Sequence, residues 1–294
     1  LWVRTYYSEY DRKEIDASLK KIYTILHSDG GNDTIPFLNV DAIDYCTFGN
    51  SKPFRIKIRN ILNDNYTYFY VKKADASRIY GLELEHILSP HNMNFLVYKD
   101  TLIEEHISGI PGDDFIKEFL PKCSESEKSQ IAKEFVKFKE RCLVRLLGDM
   151  RSYNYVIIPT HDFDKIIYKI RAIDFDQQSF EGNLKVYNLQ FLKENFKIVD
   201  MVNRKLDNNS INQYKLEERS FMAKRMISSP RRASSLIECM KNDSISFDHN
   251  IQLLKKQLIK YVGDVKFKEC QNMGDILETI LVFVKRNYQD VLTK

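Results

Sequence analysis

The sequence predicts an α+β protein, with a small antiparallel sheet in its first part and a large helical part after it. Three observations carry that expectation. Between Ile43 and Ile107 apolar residues recur at every second position, as in Phe54-Arg55-Ile56-Lys57-Ile58-Arg59, where one face is apolar and the other basic. Beyond Gly182 they recur at three and four, the spacing of amphipathic helices. Between these parts lies Leu147 to Phe180, two short β-type runs flanked by polar loops.

The elements follow in order. Glu9 to His27 is a helix, with Ile15, Leu19, Ile22 and Leu26 on one face. Ser28-Asp29-Gly30-Gly31-Asn32-Asp33 ends it, because Gly and Asn tolerate the left-handed backbone that follows a helix. Ile43 to Phe48 is a strand, Gly49-Asn50-Ser51-Lys52-Pro53 a turn, Phe54 to Arg59 a second strand and Tyr66 to Lys73 a third. Asp75 or Ser77 caps a helix that runs to about Leu88. Asn94 to Tyr98 and Thr101 to Ile107 are two more strands around Lys99-Asp100. Phe115 to Leu120 and Ser126 to Leu146 are helical, the second with Phe135, Phe138, Cys142 and Val144 inward. Tyr155 to Ile158 and Ile166 to Ile173 form a hairpin across His161-Asp162-Phe163-Asp164. Amphipathic helices then span 184–206, 213–227, 233–240, 250–262 and 273–292.

Composition sets bounds on function. The 294 residues, 43% hydrophobic and 12% aromatic, can build a sizeable core, which excludes disorder as the general state. With 45 basic and 41 acidic residues the net charge is +4, which gives no case for a nucleic-acid or anionic-membrane partner. No apolar run approaches the roughly 20 residues of a membrane span. The five cysteines (Cys46, Cys123, Cys142, Cys239, Cys270) are scattered and lack metal-site spacing, as expected of reduced thiols in a cytoplasmic protein. The chain begins at Leu1 rather than Met, which suggests trimming and leaves room for an upstream targeting segment.

The chemistry concentrates in the hairpin segment. Asp149, Asn154 five residues on, and Asp174 stand out against apolar neighbours, and the hairpin brings all three to one end. A carboxylate that can orient a hydroxyl, with an amide and a carboxylate that can hold a hard cation, is the equipment for phosphoryl transfer.

Gly148-Asp149-Met150-Arg151-Ser152-Tyr153-Asn154 resembles the catalytic loop of protein-kinase-like enzymes, and Ile173-Asp174-Phe175-Asp176 resembles their metal-binding segment in its Asp-Phe-Asp form. The aminoglycoside, choline and fructosamine kinase-like branch is the nearest in character. The resemblance implies a two-lobed fold: a helical extension over 1–42, a sheet-rich N-lobe over 43–107 and a helical C-lobe over 108–294. It also implies transfer of the ATP γ-phosphoryl group to a hydroxyl of a small-molecule acceptor, with ATP and Mg as cofactors. Asp149 would be the base, and Arg151 would offset developing charge. Asn154 and Asp174 would hold Mg, with Asp176 as a secondary contact.

The same resemblance asks for a cation on the third strand and an acid on the following helix. Lys72, in Tyr70-Val71-Lys72, matches the fructosamine-kinase pattern. Alternation leaves Lys73 open, because it shares the Phe69 and Val71 face, which would suit an adenine better than the bulky Tyr70. Glu83 is the preferred acid, since it shares its helix face with Ile79 and Ile87; Glu85 is the alternative. Leu102 to Phe115 looks like the hinge of aminoglycoside-kinase-like enzymes, with backbone groups around Glu105 to Ile107 for adenine. His106 reads as a packed or surface side chain. Two departures stand against the pattern. Only Gly49 serves a phosphate-covering loop, with Ser51 and Lys52 as substitutes, and Leu147 stands where the family has His or Tyr. No Ala-Pro-Glu segment follows, which favours the small-molecule branch. A protein kinase would use the same residues, and the thin glycine loop fits a pseudokinase or binding module without turnover.

Overall fold

The computed structural model describes residues 1–27, 31–49, 51–163 and 165–292. Ser28, Asp29 and Gly30 of the expected helix end, Asn50 of the first turn and Asp164 of the hairpin turn lie outside these residues. The chain divides into two compact units, Leu1–Asp75 with Met93–Ile107, and Ala76–Asn92 with Ser108–Lys294. The first is a sheet unit and the second is mainly helical, so the α+β expectation holds for both parts.

The sheet unit contains β1 (Trp2–Arg4), α1 (Glu9–His27), β2 (Leu38–Cys46), β3 (Phe54–Asn60) and β4 (Tyr66–Lys73). After the excursion of Ala76–Asn92 it is completed by β5 (Phe95–Tyr98) and β6 (Thr101–Glu105). The strands are antiparallel in the order β1-β2-β3-β4-β6-β5. Period-two alternation gives the sheet one apolar face, and α1 covers it. Leu19 and Leu26 pack on Leu38, Val40, Ile56, Ile58, Phe69 and Ile103. Residues 1–42, set apart in the sequence as a helical extension, thus supply an edge strand, the covering helix and the start of β2. The first strand begins at Leu38 rather than Ile43, because Leu38, Val40 and Ala42 already alternate inward with Asn39 and Asp41 outward.

In the helical unit, α2 (Ala76–Leu88) is followed by β7 (Ile110–Pro111), α3 (Gly112–Asp114) and α4 (Glu125–Arg145). Ser124 and Glu127 form a reciprocal capping box that starts α4. The strands β8 (Tyr155–Asp162) and β9 (Lys165–Ala172) form the expected hairpin, with β7 along its other edge. The chain ends with α5 (Phe196–Lys205), α6 (Asn208–Ser228), α7 (Pro230–Lys241), α8 (Asp248–Val262) and α9 (Met273–Leu292). Their apolar stripes meet in a core that includes Leu84, Leu146, Tyr187, Met222, Leu254 and Leu277. The helix expected over 184–206 is corrected. Leu184–Tyr187, Leu189–Phe191 and Lys193–Asn195 are separate 3-10 turns, and only Phe196–Lys205 is α-helical. The side-chain oxygens of Asn183 and Asn188 accept the backbone N–H groups of Lys185 and Gln190, which competes with a continuous helix. Among the described residues no helix is long and apolar enough to cross a membrane.

A charged cluster lies inside this unit. Arg145 pairs with Glu85, and Arg141 lies 3.2 Å from Glu218 and 3.6 Å from Glu134. His91 belongs to its margin; burial, reinforced by Arg141, lowers its pKa to about 4. The unfolded chain therefore takes up this proton before the folded one. Stability is present above about pH 6.5 and is lost as the pH falls towards 4. Urea unfolding across that window is expected to cost the wild type on the order of 2 kcal/mol more than His91→Gln. Equal pH slopes for the two proteins would refute the assignment.

Candidate functional site

The catalytic-loop candidate begins where α4 ends. Leu146 takes a left-handed conformation (φ 58°), and the Leu147 N–H returns to the Cys142 carbonyl at 2.9 Å, which turns the chain sharply out of the helix. Leu147 is fully buried, a packing role that an apolar side chain fills. Asp149 is again left-handed (φ 53°), a conformation that Asp tolerates better than most residues. Its N–H bonds the Val186 carbonyl at 3.1 Å, and its carbonyl accepts Asn154 Nδ2 at 2.8 Å. Asp149 Oδ1 accepts Arg151 Nε at 2.7 Å, and Arg151 Nη1 reaches Glu194 at 3.1 Å. The Arg151 guanidinium is thus placed on Asp149 and Glu194, and the hydrogen bond and charge of Asp149, with a lesser contribution from the Glu194 charge, hold its pKa above the usual value.

The hairpin register fixes the second loop against the first. Tyr155 faces Ala172, and the Ile173 N–H bonds the Asn154 carbonyl at 3.0 Å. Asn154 is buried, and Asp174 follows directly on its partner strand. Asp174 Oδ1 accepts the Asp176 N–H at 3.4 Å, and among the described residues no cation pairs with its carboxylate. Asp176 instead faces Arg78 of α2 at 3.5 Å. Between them Phe175 is fully buried against Gly81, where a Cβ would stand 2.8 Å from the Phe175 Cβ; only glycine permits this approach. Among the described residues no three His, Cys, Asp or Glu side chains form a metal cluster. A cation here would rely on the Asn154 amide oxygen with the Asp174 carboxylate, a hard-oxygen set of the kind Mg²⁺ prefers.

The sheet unit holds the other candidates. Lys72 Nζ pairs with Glu104 of the neighbouring β6 at 2.7 Å, and both side chains are nearly buried. Lys73 is exposed. The Phe69 and Val71 face, which alternation made attractive for an adenine, is covered by α1, so that reading is corrected. Lys72 lies on the opposite face with Tyr68 and Tyr70, where the Tyr70 hydroxyl lies 2.9 Å from His106 Nδ1. Glu83 holds Arg232 at 2.7 Å, and Glu85 is buried against Arg145. Within the sheet unit the acid that holds Lys72 is Glu104; Glu83 and Glu85 belong to the helical unit. The Glu105 N–H bonds Asn94, and its carboxylate accepts Asn94 N–H groups at 2.8 and 3.1 Å. The His106 N–H goes to the Tyr68 carbonyl at 3.2 Å. Of the expected hinge amides, that of Ile107 has no partner among the described residues.

Sequence reasoning missed four supporting residues: Glu104, Arg78, Glu194 and Asn195. Asn195 is fully buried; its Nδ2 donates to the Met150 and Leu189 carbonyls at 3.0 and 3.1 Å, and its Oδ1 accepts from the Tyr155 hydroxyl at 3.0 Å. Spacing gave no signal for it, because its partners lie up to 45 positions away.

No known protein family and no curated protein matches the sequence. Among solved structures the chain is similar to an ethanolamine kinase of Plasmodium vivax, at 13% identity over 97% of this chain and 93% of that one, with a TM-score of 0.36. That score is too low for the likeness to bear on this chain's chemistry.

Asn195→Ala removes the bonds to the Met150 carbonyl and the Tyr155 phenol in a buried place, while the Leu189 carbonyl keeps the Leu192 N–H. It is expected to lower unfolding free energy by about 2–4 kcal/mol, measured by denaturant titration. A change near zero would remove Asn195 as the brace of the loop.

Proposed function

We propose that the chain is an ATP-dependent phosphotransferase that moves the γ-phosphoryl group to a hydroxyl of a small-molecule acceptor. The observation that carries this reading is the hairpin end: the Asn154 backbone carbonyl accepts the Ile173 N–H and its side-chain amide donates to the Asp149 carbonyl, so one residue ties together the loops bearing Asp149 and Asp174. In this reading Asp149 orients the acceptor hydroxyl and receives its proton as the oxygen attacks the γ-phosphorus and the bond to ADP breaks. Asn154 and Asp174 hold Mg²⁺, which when bound neutralises phosphate charge; Asp176 is a secondary contact. Lys72, kept in place by Glu104, binds nucleotide phosphates. Arg151 acts first on Asp149, holding that carboxylate in position.

A second reading, a nucleotide-binding module without turnover, is favoured by the same Arg151–Asp149 pair at 2.7 Å, since Asp149 Oδ1 is already engaged by the guanidinium rather than open to an acceptor hydroxyl. Calorimetry with ATP-Mg²⁺ and acceptor-dependent ADP release separate the readings. The wild type is expected to bind, and Asp174→Ala to bind about tenfold or more weakly. Asp149→Asn is expected to keep binding and lose about 10²–10⁴ in turnover. Binding without turnover towards any hydroxyl acceptor assigns the module. A wild type that does not bind ATP-Mg²⁺ sinks both.

A further inference from the structure

A second concave site lies in the helical unit, in a cavity of about 430 Å³ that none of the residues discussed above as phosphoryl-transfer candidates lines. That volume is ordinary for a small-molecule site. Four lysines surround it: Lys139 from α4, Lys185 from the segment after the second loop, Lys215 from α6 and Lys260 from α8. The acid among the lining residues, Glu140, is buried and held by Arg219 at 2.5 Å; its charge reaches Lys139, where burial and Lys215 outweigh it, and it forms no ion pair with any of the four. Lys139 Nζ donates to Gln190 Oε1 at 3.0 Å, a neutral partner, and among the described residues no carboxylate pairs with any of the four ammonium groups. Burial and the nearby Lys215 hold the Lys139 pKa below its ordinary value, so this charge sits where it is least comfortable.

The rest of the lining is complementary rather than random. Leu143, Leu184, Phe191 and Tyr261 give the cavity an apolar side. Gln257 uses its oxygen on the Leu184 N–H at 2.7 Å and Asn188 uses its oxygen on the Gln190 N–H at 3.4 Å, which leaves the NH₂ groups of both amides as donors. The four ammonium groups and these two NH₂ groups thus make the polar lining rich in donors, and the Tyr261 hydroxyl can donate as well. A solvated lysine surface would spread such charges out, whereas here helices far apart in sequence converge them on one hollow with an apolar wall.

We propose that this cavity is a binding site for an organic phosphate, a dianionic group attached to an apolar or aromatic body, separate from the proposed phosphotransferase centre. The phosphate would lie among the four ammonium groups, as charge-assisted hydrogen bonds favour, and the body against Phe191 and Leu184. The assignment does not depend on the phosphotransferase reading.

The test is titration of the full chain with phenyl phosphate, with inorganic phosphate and phenol as separate probes, followed by NMR or calorimetry. The wild type is expected to bind phenyl phosphate saturably and more tightly than either fragment, with affinity falling as salt rises. Lys139→Gln with Lys215→Gln is expected to weaken it by about tenfold or more. Lys256→Gln, on the same helix as Lys260 but outside the lining, is expected to change nothing. Should the double variant fail to fold, the exposed pair Lys185→Gln with Lys260→Gln makes the same test. The proposal is overturned if the wild type shows no saturable binding. It is equally overturned if binding survives loss of the lysines, or if inorganic phosphate binds as tightly as phenyl phosphate.

Discussion

A guanidinium taken out of water has to be answered by opposite charge and by hydrogen-bond acceptors, and Arg145 is the side chain around which the helical unit meets that requirement. It lies in the last turn of α4 and is 1% exposed. Glu85 of α2 pairs with it, the Phe175 ring lies 5.5 Å from its guanidinium carbon, and its carbonyl accepts Gln178 Nε2 at 2.5 Å. Burial alone would raise the Glu85 carboxyl, but Arg145 and Arg141 outweigh it and hold the group below the usual carboxylate range. Removing either partner would strand the other charge, at about 3–5 kcal/mol. Helix α2, helix α4 and the segment after β9 are therefore one mechanical piece. Both loops with candidate chemistry leave from that piece, Asp149 just beyond Arg145 and Asp174 just before Phe175.

The hairpin and the long helices were legible in the sequence because they are local. Alternation set β3 and β4, a three-and-four repeat set α1 and α4, and the polar residues left over at the hairpin end were the candidate site. The partners of those residues were not legible, because a charge does not advertise which distant charge will meet it. Glu83 was preferred over Glu85 because it shares a face with Ile79 and Ile87. The deeper position belongs to Glu85, for a reason that lies sixty residues away in Arg145. Lys72 shows the same limit: within its own unit an acid, Glu104, reaches it from β6 through sheet register. Residues 1–42 read as an extension because the strand Leu38–Ala42 carries Asn39 and Asp41, which look like loop until the sheet turns them outward.

The 184–206 region failed differently. Its apolar residues do recur with helical spacing, yet Asn183, Asn188 and Asn195 each offer the backbone a local alternative to helix. The result is a run of short turns that follows the outline of its neighbours instead of a rod. A rod could not place the Val186 carbonyl at the Asp149 N–H while turning Tyr187 into the core and Asn195 under Met150. Broken helical geometry is what lets one segment serve three directions within ten residues.

That segment also explains why Asp149 can hold a left-handed backbone without a glycine. A lone non-glycine residue in that region costs on the order of 1 kcal/mol, and it persists when surrounding bonds over-determine it. Here the N–H is held by Val186, the carbonyl by Asn154 and the carboxylate by Arg151, which is itself held by Glu194 of the same segment. The run from Leu184 to Asn195 therefore braces the Asp149 loop through Val186, Glu194 and Asn195. It also presents Lys185, Asn188 and Phe191 to the lysine-lined cavity. Its two sides are coupled by covalent continuity over a few residues.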